Sequence, residues 1–197
     1  MSGLNSSANG KPALRVCVAH VGARRYYALP RVLAARGMLE YFFTDSYLGN
    51  KRVLRRLIDT LPASLTPSLL KRYSGRVAID VPSQKVVSFD GLRLRAGMGG
   101  RRPSSAKGIP LENIATVKAF NARILRHGLG EANVFWTLVN SGLEVFQGIQ
   151  EARVVKVLDQ NQMPRKTVQT VYRMEMERWP DWQVGRESLD VDPMEER

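Results

Sequence analysis

Short apolar runs alternate with amphipathic segments at the start of the chain. Leu14–Ala19 is a short run with β-branched residues, which is typical of a buried strand. It is followed by Gly22, which permits a tight turn, and then by apolar residues at helical spacing over Tyr27–Ala34, with Gly37 as the expected cap. A second apolar run, Leu39–Thr44, comes next. This order within about 30 residues predicts a right-handed βαβ unit.

The alternation continues to the last third of the chain. We predict further strands at Val77–Val81, Lys85–Phe89, Ala132–Thr137 and Arg153–Leu158, and helices at Leu111–His127, Gly142–Ala152 and Lys166–Arg178. Strands that alternate with helices predict an α/β fold, namely a Rossmann-like parallel sheet with helices on both faces. In such sheets ligands bind beyond the carboxyl ends of the strands.

The length of 197 residues suits one α/β domain of ordinary size. We place that domain at residues 13–183, after a disordered tail (1–12) and before an acidic, aperiodic tail (184–197). Residues 96–110 form a basic loop rich in Gly, Pro and Ser, which is either mobile or functional. No apolar stretch approaches the roughly 20 residues that span a bilayer, and residues 1–12 lack the features of a secretory signal. The lone Cys17 lies in an apolar run and is interpreted as a small buried residue.

Charged residues are distributed unevenly along the chain, and their distribution indicates which class of partner the protein binds. The net charge is +12, but residues 1–130 hold 22 Lys and Arg against 6 Asp and Glu, whereas residues 131–197 hold 8 against 12. The basic two thirds indicate an anionic partner. Nucleic acid, a phospholipid surface and a phosphorylated substrate all satisfy this requirement.

Polar residues follow four of the predicted strands, and this recurrence is the strongest indication of a site. The candidate ligand-binding residues are His20, Gly22, Arg24, Arg25, Asp45, Asn140, Ser141, Asp159 and Gln160. The loop from Gly22 to Arg25 opens a helix, where backbone N–H groups and arginines attract anions; the other interpretation is a solvated turn with two surface arginines. His20 is either a hydrogen-bonding or proton-transfer group or a structural histidine. Asp45 and Asp159 either bind hydroxyls or act as turn residues.

Several specific motifs are absent from the sequence. The loop after the first strand is not G-x-G-x-x-G, and no P-loop pattern occurs, so neither dinucleotide nor P-loop nucleotide binding is supported. Two distant histidines and one cysteine show no zinc-ligand spacing. We therefore expect neither a metal nor a cofactor.

Three stretches in register resemble a known family. They are GARRYYALPRVLAARGMLEYFFTDSY (Gly22–Tyr47), VKVLDQNQMPRK (Val155–Lys166) and MEMERWPDW (Met174–Trp182). In order and spacing they are similar to the amino-terminal domain of bacterial group 1 (family 4) glycosyltransferases of the GT-B fold. The similarity extends loosely from about residue 14 to residue 183.

The resemblance implies retaining transfer of a sugar from a nucleotide diphosphate sugar, without an essential metal. It places Gly22, Arg24 and Arg25 near the cleft, and Asp45 and the turn from Thr137 to Ser141 on the acceptor side. The family's second domain holds the donor nucleotide. We expect that domain to be missing here and the chain to be inactive alone, because charge developing on the diphosphate would lack its stabilising groups.

A basic amphipathic segment gains a role from this resemblance. Its apolar positions lie at helical spacing, and its basic residues are Lys51, Arg52, Arg55 and Arg56. These cations would dock the domain on anionic phospholipid, which suits a lipid-linked or glycan acceptor in envelope or exopolysaccharide synthesis. The other interpretation is a core-packed helix with a solvated face. The protein is expected in the cytoplasm, either free or on the inner face of the membrane.

A second function from another class stays open. The basic region and the loop at 96–110 would also suit a non-enzymatic α/β module that binds nucleic acid. Few aromatic residues lie among the basic ones, and no RNA- or DNA-binding motif is present.

Overall fold

A single parallel sheet organises the chain. The computed structural model describes residues 13–49, 51, 56, 60, 76, 78, 80–92, 111–139, 141–160 and 163–182. The strands are β1 (Val16–His20), β2 (Leu39–Thr44), β3 (Val86–Ser88), β4 (Val134–Leu138) and β5 (Val155–Asp159). They form one five-stranded sheet in the order β3-β2-β1-β4-β5, and every adjacent pair is parallel. The predicted α/β class is confirmed.

Helices flank the strands on both faces of the sheet. They are α1 (Ala28–Ala35), α2 (Leu111–His127), α3 (Leu143–Gly148) and α4 (Arg165–Arg178), with 3₁₀ turns at Arg24–Tyr27, Ser83–Lys85 and Pro180–Trp182. On one face, Val18 and Phe42 pack in a cluster with Tyr27 and Leu33 from the α1 side. The opposite face forms a second cluster with residues of α2 and α3, including Phe120. Because adjacent strand residues point to opposite faces, β1 supplies both clusters and is buried along its whole length.

Two predicted elements differ from the structure. Helix α3 ends at Gly148 rather than continuing to Ala152, because the backbone at Ile149 turns extended (ψ 107°) and its side chain packs into the core. At the predicted strand Val77–Val81, the described residues Ala78, Asp80 and Val81 lie in no strand. The N–H of Val81 instead donates to the carbonyl of Ala78 at 3.2 Å, which makes a turn. Val77 and Ile79 lie outside the described residues.

The last strand and helix are much more exposed than the rest of the fold. Val155 and Leu158 of β5 are 59% and 48% exposed and point to opposite faces of the sheet. The ammonium of Lys156 folds back to the carbonyl of Ile149 at 3.2 Å, near the end of α3. Tyr172 of α4 and Trp179, which follows α4, are 48% and 45% exposed. The compact core therefore lies over β1, β2 and β4.

The cysteine is a core residue. Cys17 is fully buried, and its thiol donates to the carbonyl of Leu129 at 3.4 Å. Burial raises the pKa of this thiol to about 12, so a nucleophilic thiolate does not form near neutral pH.

No helix among the residues that the structure describes is both long enough and apolar enough to span a bilayer.

Candidate functional site

The carboxyl ends of the strands meet along one edge of the sheet, which we call the rim. Across the register, His20 at the end of β1 pairs with Thr44 of β2, and Leu138 at the end of β4 pairs with Asp159 of β5. The strand order reverses at β1, with β2 and β3 on one side and β4 and β5 on the other. In doubly wound sheets the ligand crevice lies at this reversal. It is the loop after β1 that occupies this position.

That loop is held by the buried carboxylate of Asp45. The backbone N–H of Gly22 donates to Oδ1 of Asp45 at 2.7 Å, and Gly22 has a φ of 82°, which only glycine adopts without strain. The Asp45 side chain has no exposed surface. We expected Asp45 to line the acceptor side, but its burial means that it positions the loop instead of facing an open surface.

Arg76 supplies the counter-charge to Asp45. Its Nη1 lies 3.2 and 3.3 Å from the two carboxylate oxygens, and it also donates to the hydroxyl of Ser46. The Arg76 side chain is only 10% exposed, so this is a buried ion pair. Sequence reasoning missed Arg76, because nothing in the local pattern distinguishes it from the many other basic residues in that half of the chain.

A second carboxylate, Asp90, organises the rim beyond β3. It accepts hydrogen bonds from the N–H of Tyr47 at 3.1 Å and from the hydroxyl of Ser88 at 2.7 Å, and it pairs with the ammonium of Lys51 at 2.6 Å. Burial by itself would raise the pKa of Asp90, but these donors outweigh burial and lower it below its ordinary value. The sequence analysis did not identify Asp90. Lys51, which we assigned to a membrane surface, is engaged in this network.

The lowered pKa of Asp90 predicts that this carboxylate contributes to the stability of the fold at neutral pH and that the contribution is lost in acid. Because the carboxylate is favoured in the folded state, its contribution is complete above the pKa that Asp90 has in the unfolded chain. It disappears as the pH falls through the lower pKa of the folded state. In urea unfolding between pH 7 and pH 3, we expect Asp90→Asn to be less stable than the wild type at neutral pH and to lose less stability on acidification. Parallel pH curves for the two proteins would contradict this role.

His20 lies at the end of β1 in an aromatic setting. It is 4% exposed, its ring stacks on Tyr27 with centroids 5.8 Å apart, and it lies 4.9 Å from the ring of Phe42. Its Nδ1 is 3.0 Å from the carbonyl of Gly22. Since a carbonyl only accepts, Nδ1 carries the hydrogen, and in the neutral ring Nε2 is then the acceptor nitrogen.

Two consecutive tyrosines precede α1 in a left-handed conformation. Tyr26 and Tyr27 have φ values of 51° and 59°, and such geometry costs roughly 1–3 kcal/mol per residue. The turn sends the two rings in different directions, because Tyr27 is 1% exposed and Tyr26 is 86% exposed. Burial raises the pKa of Tyr27 to about 12, and the positive charge of Arg76 opposes this effect. The buried ring of Tyr27 therefore packs against His20, whereas the ring of Tyr26 is exposed to solvent beside the rim.

A small cavity opens between α1 and the sheet, next to the rim. Its lining includes His20, Leu29, Pro30, Trp136, Leu138 and Asp159, and its volume is about 30 Å³. Nε1 of Trp136 is buried and has no hydrogen-bond partner among the residues that the structure describes. His20 and Asp159, both predicted from the sequence as ligand-binding residues, thus share one cavity. Trp136 and the α1 residues were not predicted, because an aromatic residue within a strand is typical of any core.

The other predicted site residues divide into two groups. Ser141 is buried and its hydroxyl donates to the carbonyl of Leu138 at 2.9 Å, whereas Gln160 is exposed next to Asp159. Arg24 and Arg25 lie in the 3₁₀ turn after β1, and the structure describes only their backbone. Asn140 lies outside the described residues.

Two further predictions concern surface charge and metals. Arg56 is helical and exposed, whereas Arg52 and Arg55 lie outside the described residues. Within the part of the chain that the structure describes, no cluster of three or more His, Cys, Asp or Glu side chains could hold a metal ion.

Comparison of the chain with protein-family models, with curated proteins and with solved structures gave no match. The geometry of the rim and the chemistry of its residues are therefore the basis for a function.

Proposed function

We propose that this chain is the acceptor-binding lobe of a GT-B-type glycosyltransferase that uses a nucleotide diphosphate sugar. The observation that carries the proposal is the Gly22 loop at the reversal of strand order, held by its N–H to Asp45 at 2.7 Å. A loop held this way presents a fixed backbone surface where doubly wound sheets bind ligands. The resemblance of Gly22–Tyr47 to that family's amino-terminal domain includes this loop and Asp45.

The polar groups of the rim suit an acceptor with many hydroxyls. His20, Asp159 and Gln160 offer imidazole, carboxylate and amide groups, which hydrogen-bond hydroxyls as donors or acceptors. In the GT-B arrangement that we propose, a second lobe holds the donor nucleotide, and the lobe described here binds a glycan or lipid-linked acceptor.

The alternative of nucleic-acid binding rests on the basic charge of the first two thirds. Among the described basic residues, four are paired with carboxylates, namely Arg15, Arg31, Lys51 and Arg76. Such pairing reduces the positive potential available to phosphates. Two of these pairs, Lys51–Asp90 and Arg76–Asp45, lie at the rim itself.

Gly22→Ala tests the loop, and Gly37→Ala is its matched control. Both glycines have a positive φ (82° and 68°), and an added Cβ would have no heavy atom within 4 Å at either position. Each variant should lose about 1–2 kcal/mol of stability through backbone strain alone. Only Gly22→Ala should also weaken glycan binding, by roughly tenfold (about 1.4 kcal/mol), because strain displaces the loop from Asp45. A glycan array with bacterial-type oligosaccharides measures binding, and urea unfolding measures stability.

Three results would contradict the proposal. One is the absence of binding to any glycan on the array, and another is equal binding by the two alanine variants. The third is tight calorimetric binding of nucleoside diphosphates to the chain alone. Strong, salt-dependent binding of arbitrary single-stranded RNA at physiological ionic strength would favour the nucleic-acid alternative instead.

A further inference from the structure

Tyr26 is the most exposed large hydrophobic side chain among the residues that the structure describes, at 86%. It follows β1 in the turn Arg24–Tyr27, at the point where the order of the strands reverses. Leu29 and Pro30, which come soon after it in α1, line the cavity beside the rim. An exposed aromatic ring is therefore carried by the loop at which doubly wound sheets bind ligands.

The backbone at Tyr26 is strained, and burial of its own ring does not offset the strain. Tyr26 and Tyr27 are the two non-glycine residues with a positive φ in the described part of the chain. At Tyr27 burial offsets the strain, because the ring is 1% exposed and packs edge-on against Phe42 with centroids 5.3 Å apart. The ring of Tyr26 gains no comparable contact. Strained residues that are not stabilised by their own packing are typical of functional sites.

Two buried contacts hold the segment that contains Tyr26. Before it in the chain, the N–H of Gly22 donates to the carboxylate of Asp45 at 2.7 Å. After it, the ring of Tyr27 stacks on His20 with centroids 5.8 Å apart. The backbone that carries Tyr26 is thus fixed on both sides, and a tyrosine side chain has only two rotatable angles. A ring held in this way loses little conformational entropy when it binds a ligand.

The chemistry of the phenol ring selects the class of ligand. The face of the ring is electron-rich and attracts cations and C–H groups whose hydrogens are partially positive. The basic charge of residues 1–130 disfavours a cationic ligand. A pyranose ring carries several C–H bonds on one face and hydroxyls around its edge. Such a ring can stack on Tyr26 while its hydroxyls remain available to polar groups of the rim.

We propose that Tyr26 is the stacking surface for a pyranose ring of the acceptor, held in the loop after β1 by the strained turn. The inference rests on the proposed acceptor-binding function and adds a residue that determines specificity. A sugar with a face free of axial oxygens, such as a β-glucoside or β-galactoside, stacks on the ring. An α-mannoside stacks less well, because it carries an axial oxygen on each face.

Three substitutions separate the ring from the strained backbone. Tyr26→Ala removes the ring and keeps a side chain at the same φ, so it should weaken glycan binding roughly tenfold with little change in melting temperature. Tyr26→Gly removes both the ring and the strain. It should weaken binding equally and should not lower the melting temperature. Tyr26→Phe keeps the ring and should lose no more than about threefold in affinity.

Tyr172→Ala is the matched control, because Tyr172 is an exposed tyrosine of α4 (48%) and should leave glycan affinity unchanged. A structural role for Tyr26 predicts a different pattern. In that case Tyr26→Gly and Tyr26→Ala would both lower the melting temperature by more than about 4 °C and bind glycans as the wild type does. That pattern would overturn the assignment.

Fluorine NMR of the chain labelled with 3-fluorotyrosine reports on the ring directly. The chain has six tyrosines, and the Tyr26 signal is assigned by its loss in Tyr26→Phe. The probes are methyl β-glucoside, methyl β-galactoside and methyl α-mannoside, with glycerol, inorganic phosphate and uridine as comparators. We expect at least one β-glycoside to shift the Tyr26 signal in a saturable manner, at lower concentration than the α-mannoside. Glycerol and phosphate should leave the signal unchanged.

The outcomes separate this inference from the proposed function. If glycan binding depends on Gly22, but Tyr26→Ala binds as the wild type does and the Tyr26 signal does not move, the stacking assignment fails and the acceptor-lobe proposal stands. A shift caused by uridine and by no glycoside would overturn the assignment in favour of a nucleobase. If no glycan on the array and no glycoside binds, both proposals fail.

Discussion

Arg76→Met is expected to destabilise the protein by about 3–5 kcal/mol, because it leaves the carboxylate of Asp45 buried without its counter-charge. The two side chains are 10% and 0% exposed, and Nη1 of Arg76 lies 3.2 and 3.3 Å from the two carboxylate oxygens. Met has a similar length and packs well, so most of the loss comes from the uncompensated charge. Urea unfolding at pH 7 measures the change in free energy.

An exposed ion pair provides the matched control for this substitution. Arg31 pairs with Asp80 on the surface, where the side chains are 47% and 53% exposed. Arg31→Met should therefore change stability by only about 0–1 kcal/mol. In the double variant Asp45→Asn/Arg76→Met, most of the loss should be recovered, because no charge remains buried. If Arg76→Met and Arg31→Met cost the same, the buried pair does not organise the rim.

Phe120→Ala should also destabilise the fold by about 3–5 kcal/mol, because it opens a cavity in the core beneath α2. Phe120 has no exposed surface, and its ring packs edge-on against Phe89 with centroids 5.7 Å apart. It shares its cluster with Phe43 of β2 and Ile124 of α2. The loss should appear as a lower midpoint in urea unfolding and a lower melting temperature.

Leu125 lies on the same helix and provides the comparison. It is 39% exposed, so Leu125→Ala removes much less buried apolar area and should cost about 1 kcal/mol. Equal losses for the two variants would mean that α2 does not pack on the sheet through Phe120. Phe135 of β4 belongs to the same cluster as Phe120, so this packing also supports β4.

The buried carboxylates give the rim its rigidity. Asp45 fixes the loop after β1, and Asp90 joins the segment after β2 to the end of β3 through Tyr47. Charged groups used in this way hold backbone positions and are not themselves presented to a ligand. The cavity, in contrast, is lined by His20, Trp136 and Asp159. Different residues of the rim therefore hold the backbone in place and line the cavity.

The fold was predictable where local patterns carry the signal. Strand β2 and helix α2 have the predicted bounds, and both Gly37 and Gly128, which follow helices, have positive φ values (68° and 82°). An apolar period and a glycine cap are local properties, so they can be recognised without knowledge of contacts. The described residues of the predicted strand Val77–Val81 form no strand, and the N–H of Val81 makes a turn there instead. A β-branched run favours a strand, but the strand forms only if a distant segment pairs with it, and the local sequence does not specify that segment.

The amino-acid sequence by itself determined the order of strands and helices, and with it the meeting of His20 and Asp159 at one edge. That result follows because parallel strands place their carboxyl ends together whatever the details of packing. Only the tertiary structure decided that Asp45 is buried against Arg76, 31 residues away, and that Trp136 lines a cavity beside the rim. Periodicity encodes which face of an element is buried, whereas the partner of a buried polar atom depends on how distant segments pack.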